Sequence, residues 1–305
     1  MKPTNHVVLV RPASFRTNEQ TAVNNHFQKL NTLSDADALI QALNEFDAFV
    51  ATIRKYGIAV TVLQDTPNPD TPDALFPNNW FALLPNNRAV LFPMFAPNRR
   101  AERNSRVFEA LHDSGLKIKV VKDYTSYERD DLFLEGTGSM VLDHQNRIAY
   151  CALSPRANRE LFHQFCMDFG YKPIAFHAYH TVDNERLLVY HTNVIMALGV
   201  DFAVICLDAI DSLGERKLLH DSLTHSGKEV IRITEVQVAH FAGNMLALTD
   251  KGGTPLLVMS SRAYNSLAPK QIHKLERHAS LVHSPVPTIE DLGGGSVRCM
   301  MAEVY

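Results

Sequence analysis

Residues 34–63 read SDADALIQALNEFDAFVATIRKYGIAVTVL, and this stretch contains the unit on which the fold prediction depends. Apolar residues recur every three or four positions from Leu39 to Ile53, a spacing that predicts one buried stripe along a helix. Ser34 is suited to cap the start of that helix, and Gly57 is suited to end it. The β-branched run that follows, IAVTVL, predicts a strand.

The same order of helix and strand recurs along the whole chain. The other four pairs are Arg100–Gly115 with Lys117–Lys122, Asn158–Gly170 with Lys172–His177, Leu213–Gly227 with Glu229–Thr234, and Pro269–His278 with Ser280–Ser284. Counting the first pair, successive strands begin at intervals of 59, 55, 57 and 51 residues. An interval this regular is typical of a protein built from structural repeats.

Apolar hairpins lie between these pairs. They are Trp80–Pro93, Ser139–Leu153, Asn193–Leu207 and Asn244–Met259. The terminal segments His6–Arg11 and Val297–Val304 each predict one strand, and pairing them would supply a fifth hairpin. The sequence therefore predicts an α/β fold of five ββαβ units with five-fold pseudosymmetry, forming a single domain over residues 1–305 and closed into a ring by the terminal strands. An ordinary α/β sheet with coincidental spacing is the alternative.

The composition limits the class of protein and its partners. The chain has 305 residues, a net charge of −3, 46% hydrophobic residues and 21% charged residues, which excludes a disordered or fibrous protein. Without a basic excess we expect no nucleic-acid partner, and no apolar run approaches the roughly 20 residues of a membrane span. The first apolar run is too short for a signal peptide and the four cysteines are far apart, so we expect a cytoplasmic protein with reduced thiols that does not bind membranes. The sequence leaves a homo-oligomer open.

Cys299 is the first candidate for chemistry. It follows the triplet Gly293–Gly295, and glycines before a strand allow the close backbone approach that a ligand site needs. The alternative is one more buried small hydrophobic residue. Cys151, Cys166 and Cys206, which lie within apolar segments, fit that alternative well.

Further polar residues precede other predicted hairpins. Glu135 stands before one buried strand, His191 before the next, and the pair Asn78-Asn79 before the only tryptophan. Each could instead be an ordinary turn residue, or a polar side chain whose hydrogen bonds are all made within the protein. In a ring of repeats, however, equivalent strand ends meet at one mouth, so these residues and Cys299 should converge. A cysteine, a histidine and a carboxylate are the inventory of nucleophilic catalysis, whereas no metal-binding or nucleotide-binding motif occurs, so no metal and no organic cofactor are predicted.

Taken together, these motifs resemble the guanidine-modifying, or pentein, superfamily of arginine deiminases, dimethylarginine dimethylaminohydrolases and amidinotransferases. The resemblance covers nearly the whole chain and is nearest to the amidinotransferase-like branch that includes citrulline-utilisation hydrolases. It implies that Cys299 is the nucleophile, that His191 is the general acid and base, and that Glu135 orients His191. It further implies a five-bladed ββαβ propeller.

The resemblance also assigns residues that bind the substrate. The segment containing Asp73, Phe76, Asn78 and Asn79 matches the superfamily's D-x-x-F-x-x-D motif, and Asn193 occupies the last position of its H-x-D motif. In addition, Arg99 and Arg156 match arginines that hold the carboxylate of an amino-acid substrate.

This sequence departs from the superfamily at the residues that face the reacting group. Asn78, Asn79 and Asn193 stand where members that act on a guanidinium usually have carboxylates. An amide both donates and accepts hydrogen bonds, which suits a neutral ureido group. A buried guanidinium would lack its counter-charge here, which costs several kcal/mol.

These residues predict a hydrolase of non-peptide C–N bonds. The expected reaction converts citrulline to ornithine, ammonia and CO2 through a covalent S-linked intermediate. One alternative is an enzyme with a guanidino substrate, namely an arginine deiminase, a methylarginine hydrolase or, less favoured, an amidinotransferase. The other is a non-catalytic binding protein of the same fold.

Overall fold

The strands follow the predicted repeat. The computed structural model describes residues 3–29 and 33–305. Its strands are β1 His6–Arg11, β2 Ala59–Gln64, β3 Phe81–Leu84, β4 Arg88–Leu91, β5 Lys119–Asp123, β6 Met140–Asp143, β7 Ile148–Ala152, β8 Lys172–Phe176, β9 Tyr179–Val182, β10 Glu185–Leu188, β11 Met196–Leu198, β12 Phe202–Ile205, β13 Glu229–Arg232, β14 Leu246–Thr249, β15 Pro255–Ser260, β16 Ser280–Ser284 and β17 Ala302–Glu303. Each strand predicted after a helix is present, with ends shifted by a few residues at most.

The helices include each one predicted, together with several short ones. They are α1 Glu19–Ala22, α2 Asp35–Lys55, α3 Arg106–Asp113, α4 Gly136–Ser139, α5 Arg159–Phe169, α6 Leu213–His225, α7 Glu235–Ala239, α8 Ser261–Ser266, α9 Pro269–Glu276, α10 Pro287–Gly293 and α11 Val297–Met300. Ser34 caps α2 by accepting a hydrogen bond from the Asp37 backbone N–H. The apolar stripe of α2 is buried, since Phe46 and Ile53 are almost inaccessible to solvent. None of the helices in the described ranges is long and apolar enough to cross a membrane.

One pairing pattern recurs in the sheets. In the described part of the chain, five three-stranded sheets each have a middle strand that pairs antiparallel with one neighbour and parallel with the other. The orders are β17-β1-β2, β3-β4-β5, β6-β7-β8, β11-β12-β13 and β14-β15-β16. In four of these sheets the antiparallel partner comes from a hairpin, and in β17-β1-β2 it comes from the other end of the chain. The parallel partner follows a helical crossover in all five, as parallel connections require. The predicted mixed α/β fold is present.

The chain termini pair with each other. Strand β1 runs antiparallel to β17, with Val7 opposite Glu303 and Val8 opposite Ala302. The first sheet therefore combines strands from opposite ends of the chain, as the single terminal strands predicted.

Short helical turns replace the expected strand starts at four equivalent places. The segment 297–300 was expected to be strand but forms α11, and α4 comes before β6 in the same way. Two 3-10 turns, Pro77–Asn79 and Thr192–Val194, precede β3 and β11. A strand directs successive side chains to opposite faces, whereas a helical turn lets neighbouring side chains share one side. These turns therefore collect polar groups where extended chain would separate them.

The hairpin β9–β10 stands outside the repeated sheets and was not predicted. Its turn residues Asp183 and Asn184 both have positive φ, at 48° and 66°. Two successive residues of this kind form the turn that matches the twist of a two-residue hairpin, and Asp and Asn tolerate it better than most residues. The Asp183-Asn184 pair is therefore the sequence feature from which this hairpin could have been predicted.

The turn before β14 leaves no room for a side chain at Gly243. A Cβ atom there would lie 2.2 Å from the Val194 carbonyl oxygen and 2.8 Å from the Ile195 Cα. We expect Gly243→Ala to lower the free energy of unfolding by about 1–3 kcal/mol, because backbone must move to relieve the overlap. Urea unfolding curves measure the change.

Gly214 provides the matched control. It lies within α6, and the nearest atom to an added Cβ would be Ser212 Oγ at 3.8 Å. Gly214→Ala should leave stability unchanged or raise it by up to about 1 kcal/mol. If both glycine variants unfold at the urea concentration of the wild type, the tight packing at the β14 turn is contradicted.

Candidate active site

Residues from widely separated segments line one cavity at the starts of the repeated sheets. The lining residues are Asn25, Asp73, Phe76, Asn79, Arg99, Arg156, Tyr190, His191, Gly293, Gly295 and Cys299. Seven of the predicted site residues are among them. Of the other three, Glu135 contacts His191, Asn78 contacts Asn79, and Asn193 contacts Cys299. The structure therefore brings the polar strand ends together, as predicted.

Glu135 and His191 form a buried pair. The His191 Nε2 atom lies 2.8 Å from Glu135 Oε2, and both side chains are inaccessible or nearly so. Glu135 Oε1 accepts a hydrogen bond from the Phe95 backbone N–H at 3.0 Å. Burial by itself would raise the pKa of Glu135, but the Arg156 charge and the His191 hydrogen bond outweigh it and lower the pKa to about 2. The carboxylate is thus ionised and fixed at both oxygens.

Burial has the opposite consequence for His191. Desolvation lowers its pKa to about 4, although the hydrogen bond and charge of Glu135 act to raise it. The imidazole is therefore neutral at pH 7 and donates its Nε2 proton to Glu135. Held in this way, His191 can serve as a proton acceptor or relay for chemistry in the cavity.

The Cys299 sulfur lies among amide groups. Cys299 is 3% exposed and belongs to the turn α11. Its Sγ atom is 3.5 Å from Asn193 Nδ2 and 3.3 Å from Asn244 Nδ2. The glycines before it serve packing, because a Cβ at Gly293 would lie 2.8 Å from the Phe76 ring. The triplet therefore lets the cysteine-bearing loop close over Phe76.

Arg99 is fully engaged with protein groups. Its Nε and Nη2 atoms donate to the two carboxylate oxygens of Glu102 at 2.7 and 2.9 Å, and its Nη1 donates to Asn79 Oδ1 at 2.8 Å. Arg99 and Glu102 are both buried. The bidentate pair fixes the guanidinium against the turn that carries Asn79.

Arg156 is held by the segment around α1. It donates to Asn24 Oδ1 at 2.8 Å and to the Thr21 carbonyl oxygen at 2.8 Å. Its Nη1 is 3.7 Å from Glu135 Oε2, and its guanidinium carbon lies 4.9 Å from the centre of the Tyr190 ring. Arg156 therefore links the buried carboxylate to the N-terminal segment through neutral acceptors.

Asp73 has one carboxylate oxygen with a partner and one without. Oδ2 accepts hydrogen bonds from Asn18 Nδ2 at 2.8 Å and from Thr21 Oγ1 at 3.3 Å. Oδ1 is buried and has no hydrogen-bond partner among the described residues. A buried acceptor left unpaired costs free energy, so this oxygen is the natural place for a hydrogen-bond donor of a ligand.

The two asparagines that favoured citrulline are bonded to their neighbours. Asn79 accepts from Arg99 and donates to Asn78 Oδ1 at 3.1 Å. Asn78 Nδ2 donates to Thr137 Oγ1 at 3.4 Å. The argument for a ureido group required both amides to face the ligand. In this arrangement both amide oxygens and one N–H of each amide are bonded within the protein.

Several site residues were not found from the sequence. Asn24 and Asn25 come from a polar segment without repeat pattern, and Glu102 and Tyr190 lie beside predicted residues. The Tyr190 hydroxyl donates to the Gly294 carbonyl at 2.6 Å. The high content of asparagine and threonine in residues 17–25 is the sequence feature that could have indicated part of a polar site. Within the described ranges, no group of three His, Cys, Asp or Glu side chains is placed to hold a metal ion.

Comparison with known families gives one match. Residues 11–305 match the family model described as N,N-dimethylarginine dimethylhydrolase, eukaryotic. No curated protein sequence matches the chain.

Solved structures share the fold at low sequence identity. The product-bound N-terminal domain of ArgZ, an arginine dihydrolase from the ornithine–ammonia cycle in cyanobacteria, is 16% identical with a TM-score of 0.73, and the alignment covers 98% of this chain and 97% of that one. Unliganded AgrE is 15% identical with a TM-score of 0.72, and the alignment covers 98% of this chain but 39% of that one. An adduct of dimethylarginine dimethylaminohydrolase with S-methyl-L-thiocitrulline is 15% identical with a TM-score of 0.61, and the alignment covers 98% of each chain.

The neutral state of His191 predicts a loss of stability in acid. In the unfolded chain a histidine takes up a proton near pH 6.5, whereas folded His191 does so only near pH 4. The unfolded state therefore binds more protons between these values, and the free energy of unfolding should fall as pH drops through this window. His191→Gln should show a shallower fall in urea unfolding measured at a series of pH values.

His180, a half-buried histidine, is the control for this experiment. Desolvation also lowers the pKa of His180 to about 4, so His180→Gln should reduce the slope in the same direction. Identical slopes for the wild type and His191→Gln would show that folding does not lower the pKa of His191, and would contradict the desolvated imidazole that stays neutral down to about pH 4.

Proposed function

The chain belongs to the family of eukaryotic N,N-dimethylarginine dimethylhydrolases, and from this membership and the site geometry we propose that it hydrolyses a C–N bond of a guanidino amino acid. The membership confirms the predicted resemblance to the guanidine-modifying superfamily. It favours the guanidino alternative over citrulline as substrate. The products would be a ureido amino acid and ammonia or an alkylamine.

The unpaired oxygen of Asp73 is the observation that carries this proposal. A guanidinium has N–H donors and a positive charge but no acceptor, so it matches a buried carboxylate oxygen that lacks a partner. Asp73 lines the same cavity as Cys299. A neutral ureido group would also donate a hydrogen bond there but would leave the carboxylate charge uncompensated.

The charges around the cavity point the same way. Three buried carboxylates, Asp73, Glu102 and Glu135, lie with two buried arginines, Arg99 and Arg156. Glu102 binds Arg99 directly, and Glu135 lies near Arg156. The nearest cation to Asp73 is Arg99, whose Nε atom lies 3.7 Å from Asp73 Oδ2. That guanidinium is already paired with Glu102. A cationic substrate supplies the missing charge, and unpaired buried charge is costly.

In the proposed reaction the Cys299 thiolate attacks the guanidinium carbon and forms a C–S bond. Neutral His191 then accepts a proton from another nitrogen of this adduct and passes it to the leaving amine as the C–N bond to that amine breaks. Water, activated by His191, attacks the S-linked carbon and releases the thiolate and the ureido product. Glu135 is the residue that orients His191 and stabilises it when protonated.

Arg156 is the stronger candidate for the substrate carboxylate. It now binds neutral acceptors from Asn24 and Thr21, and a carboxylate would replace them with a charge-assisted pair. Arg99 already has a bidentate carboxylate partner in Glu102. We keep Arg99 in the proposed substrate-binding site. Its Nη1 atom donates to Asn79, which lines the cavity, so Arg99 would act mainly by positioning Asn79.

The proposal includes the arrangement of the sheets. We infer that the five three-stranded sheets surround a common axis as the blades of a single-domain propeller, closed by the β1–β17 pair. Support comes from their shared pairing order and from the convergence of Glu135, His191 and Cys299, which start different blades.

A parallel assay tests the substrate class. Purified protein is offered arginine, monomethylarginine, dimethylarginine and citrulline, and ammonia, alkylamines and amino-acid products are measured. We expect a ureido product and an amine from at least one guanidino substrate. Cys299→Ala should abolish turnover because it removes the nucleophile, while equilibrium binding of the substrate persists.

Two results would contradict this proposal. Turnover of citrulline with none of the guanidino compounds would assign a ureido substrate. Undiminished turnover by Cys299→Ala would remove the covalent mechanism.

Asp73→Asn tests the guanidinium contact. The amide keeps the size of the side chain but removes the charge, so kcat/KM for a guanidino substrate should fall by about 10- to 100-fold, as expected for the loss of one charged hydrogen bond of about 1.5–3 kcal/mol. The matched control is Asp70→Asn, which removes a solvent-exposed carboxylate paired with Arg16. Equal kcat/KM values for both variants and the wild type would exclude Asp73 from substrate binding.

A further inference from the structure

Asn244 connects the turn that carries Cys299 with the turn that carries His191. Its Oδ1 atom accepts the Arg298 backbone N–H at 3.1 Å, and its Nδ2 atom donates to the Asn193 carbonyl oxygen at 3.0 Å. The same Nδ2 atom lies 3.3 Å from the Cys299 sulfur. Asn244 is 1% exposed, so one buried amide touches both turns and the proposed nucleophile.

The orientation of this amide is fixed by its backbone partners. A backbone N–H can only donate and a carbonyl oxygen can only accept. Exchanging the oxygen and nitrogen of Asn244 would place donor against donor at Arg298 and acceptor against acceptor at Asn193. The group that faces Cys299 is therefore necessarily an N–H donor.

Asn193 presents a second amide to the same sulfur. Its Nδ2 atom is 3.5 Å from Sγ and its Oδ1 atom is 3.9 Å away. An amide side-on to sulfur can accept from the S–H of a thiol and donate to a thiolate. Asn193 thus suits both protonation states of Cys299. Asn244 can only donate, and because a thiol sulfur is a weak acceptor, this donor favours the thiolate.

We propose that Asn244 and Asn193 stabilise the Cys299 thiolate, with Asn244 as the fixed donor and Asn193 as the adaptable one. This inference rests on the proposed role of Cys299 as nucleophile. Hydrogen bonds to an ionised acceptor are stronger than those between neutral groups, so two N–H donors favour S⁻ over S–H. The same donors stabilise the thiolate as it leaves when the S-linked intermediate is hydrolysed.

The surroundings of the sulfur explain why amides are needed. His191 donates to Glu135 and is neutral at pH 7, so it supplies no positive charge to the resting thiolate. Arg99 and Arg156 are engaged with other acceptors. Burial raises the pKa of the other three cysteines, to about 11 for Cys206, which illustrates that a buried thiolate needs donors.

The experiment titrates Cys299 in the absence of substrate. The ultraviolet absorbance of the thiolate is followed against pH, and the spectrum of Cys299→Ala is subtracted at each pH value. Asn244→Ala should raise the apparent pKa of Cys299 by about one to two units, the value expected for the loss of one hydrogen bond to a charged group. Asn193→Ala should raise it by less, because its donor lies farther from the sulfur.

Controls separate this effect from loss of structure. Ser212→Ala removes the side-chain cap of α6, a solvent-exposed hydrogen bond donated by the Glu215 backbone N–H. Because Ser212 does not line the cavity, this variant should leave the Cys299 titration unchanged. Thermal unfolding is recorded for every variant, and Asn193→Ala provides the test if Asn244→Ala does not fold.

The outcomes distinguish this inference from the proposed function. An unchanged titration in folded Asn244→Ala and Asn193→Ala would overturn the inference, even if activity falls, because the asparagines would then be purely structural. A shifted titration supports it. If the titration shifts but the wild type hydrolyses no guanidino compound, the proposed function fails while the assignment of the asparagine pair stands.

Discussion

The buried carboxylate of Glu135 is the constraint on which the site depends. A fully buried anion is tolerated only with compensating donors and charges, and here these come from His191, Arg156 and the Phe95 backbone N–H. Because the three partners belong to different parts of the chain, satisfying one carboxylate fixes the relative position of several sheets. Arg156 extends the network to the segment around α1, and Asn25 of that segment lines the cavity.

A second consequence is the division of labour among the polar groups. Groups that satisfy each other within the protein, such as Arg99 with Glu102, form rigid walls. Asp73 Oδ1 has unused capacity, and Asp73 lines the cavity. Hydrogen-bond accounting therefore identifies the ligand-facing atoms better than residue type does. Asn78 and Asn79 illustrate this, because as residue types they indicated a ureido ligand, whereas their atoms bind neighbouring side chains.

Much of the fold and of the site could be predicted from the sequence. The helix after Ser34, the hairpins and the pairing of the terminal strands follow from local periodicity, capping and turn residues, and the structure has all of them. The helical turn at 297–300 was predicted as strand, because its apolar and β-branched residues fit a strand equally well, and the turn at 136–139, just before the predicted hairpin, was not predicted. A helical turn places two neighbouring polar side chains on one side. This arrangement is useful only when groups from other sheets face the same cavity.

The repeat, the order of elements and the candidates Cys299, His191 and Glu135 could be inferred without a structure, because each depends on residue type and spacing along the chain. Which atoms are free to bind depends on the folded arrangement. The pairing of Arg99 with Glu102, the unused oxygen of Asp73 and the orientation of the Asn244 amide are all set by partners distant in sequence. Hydrogen-bond capacity is consumed in three dimensions, so no local pattern records what remains.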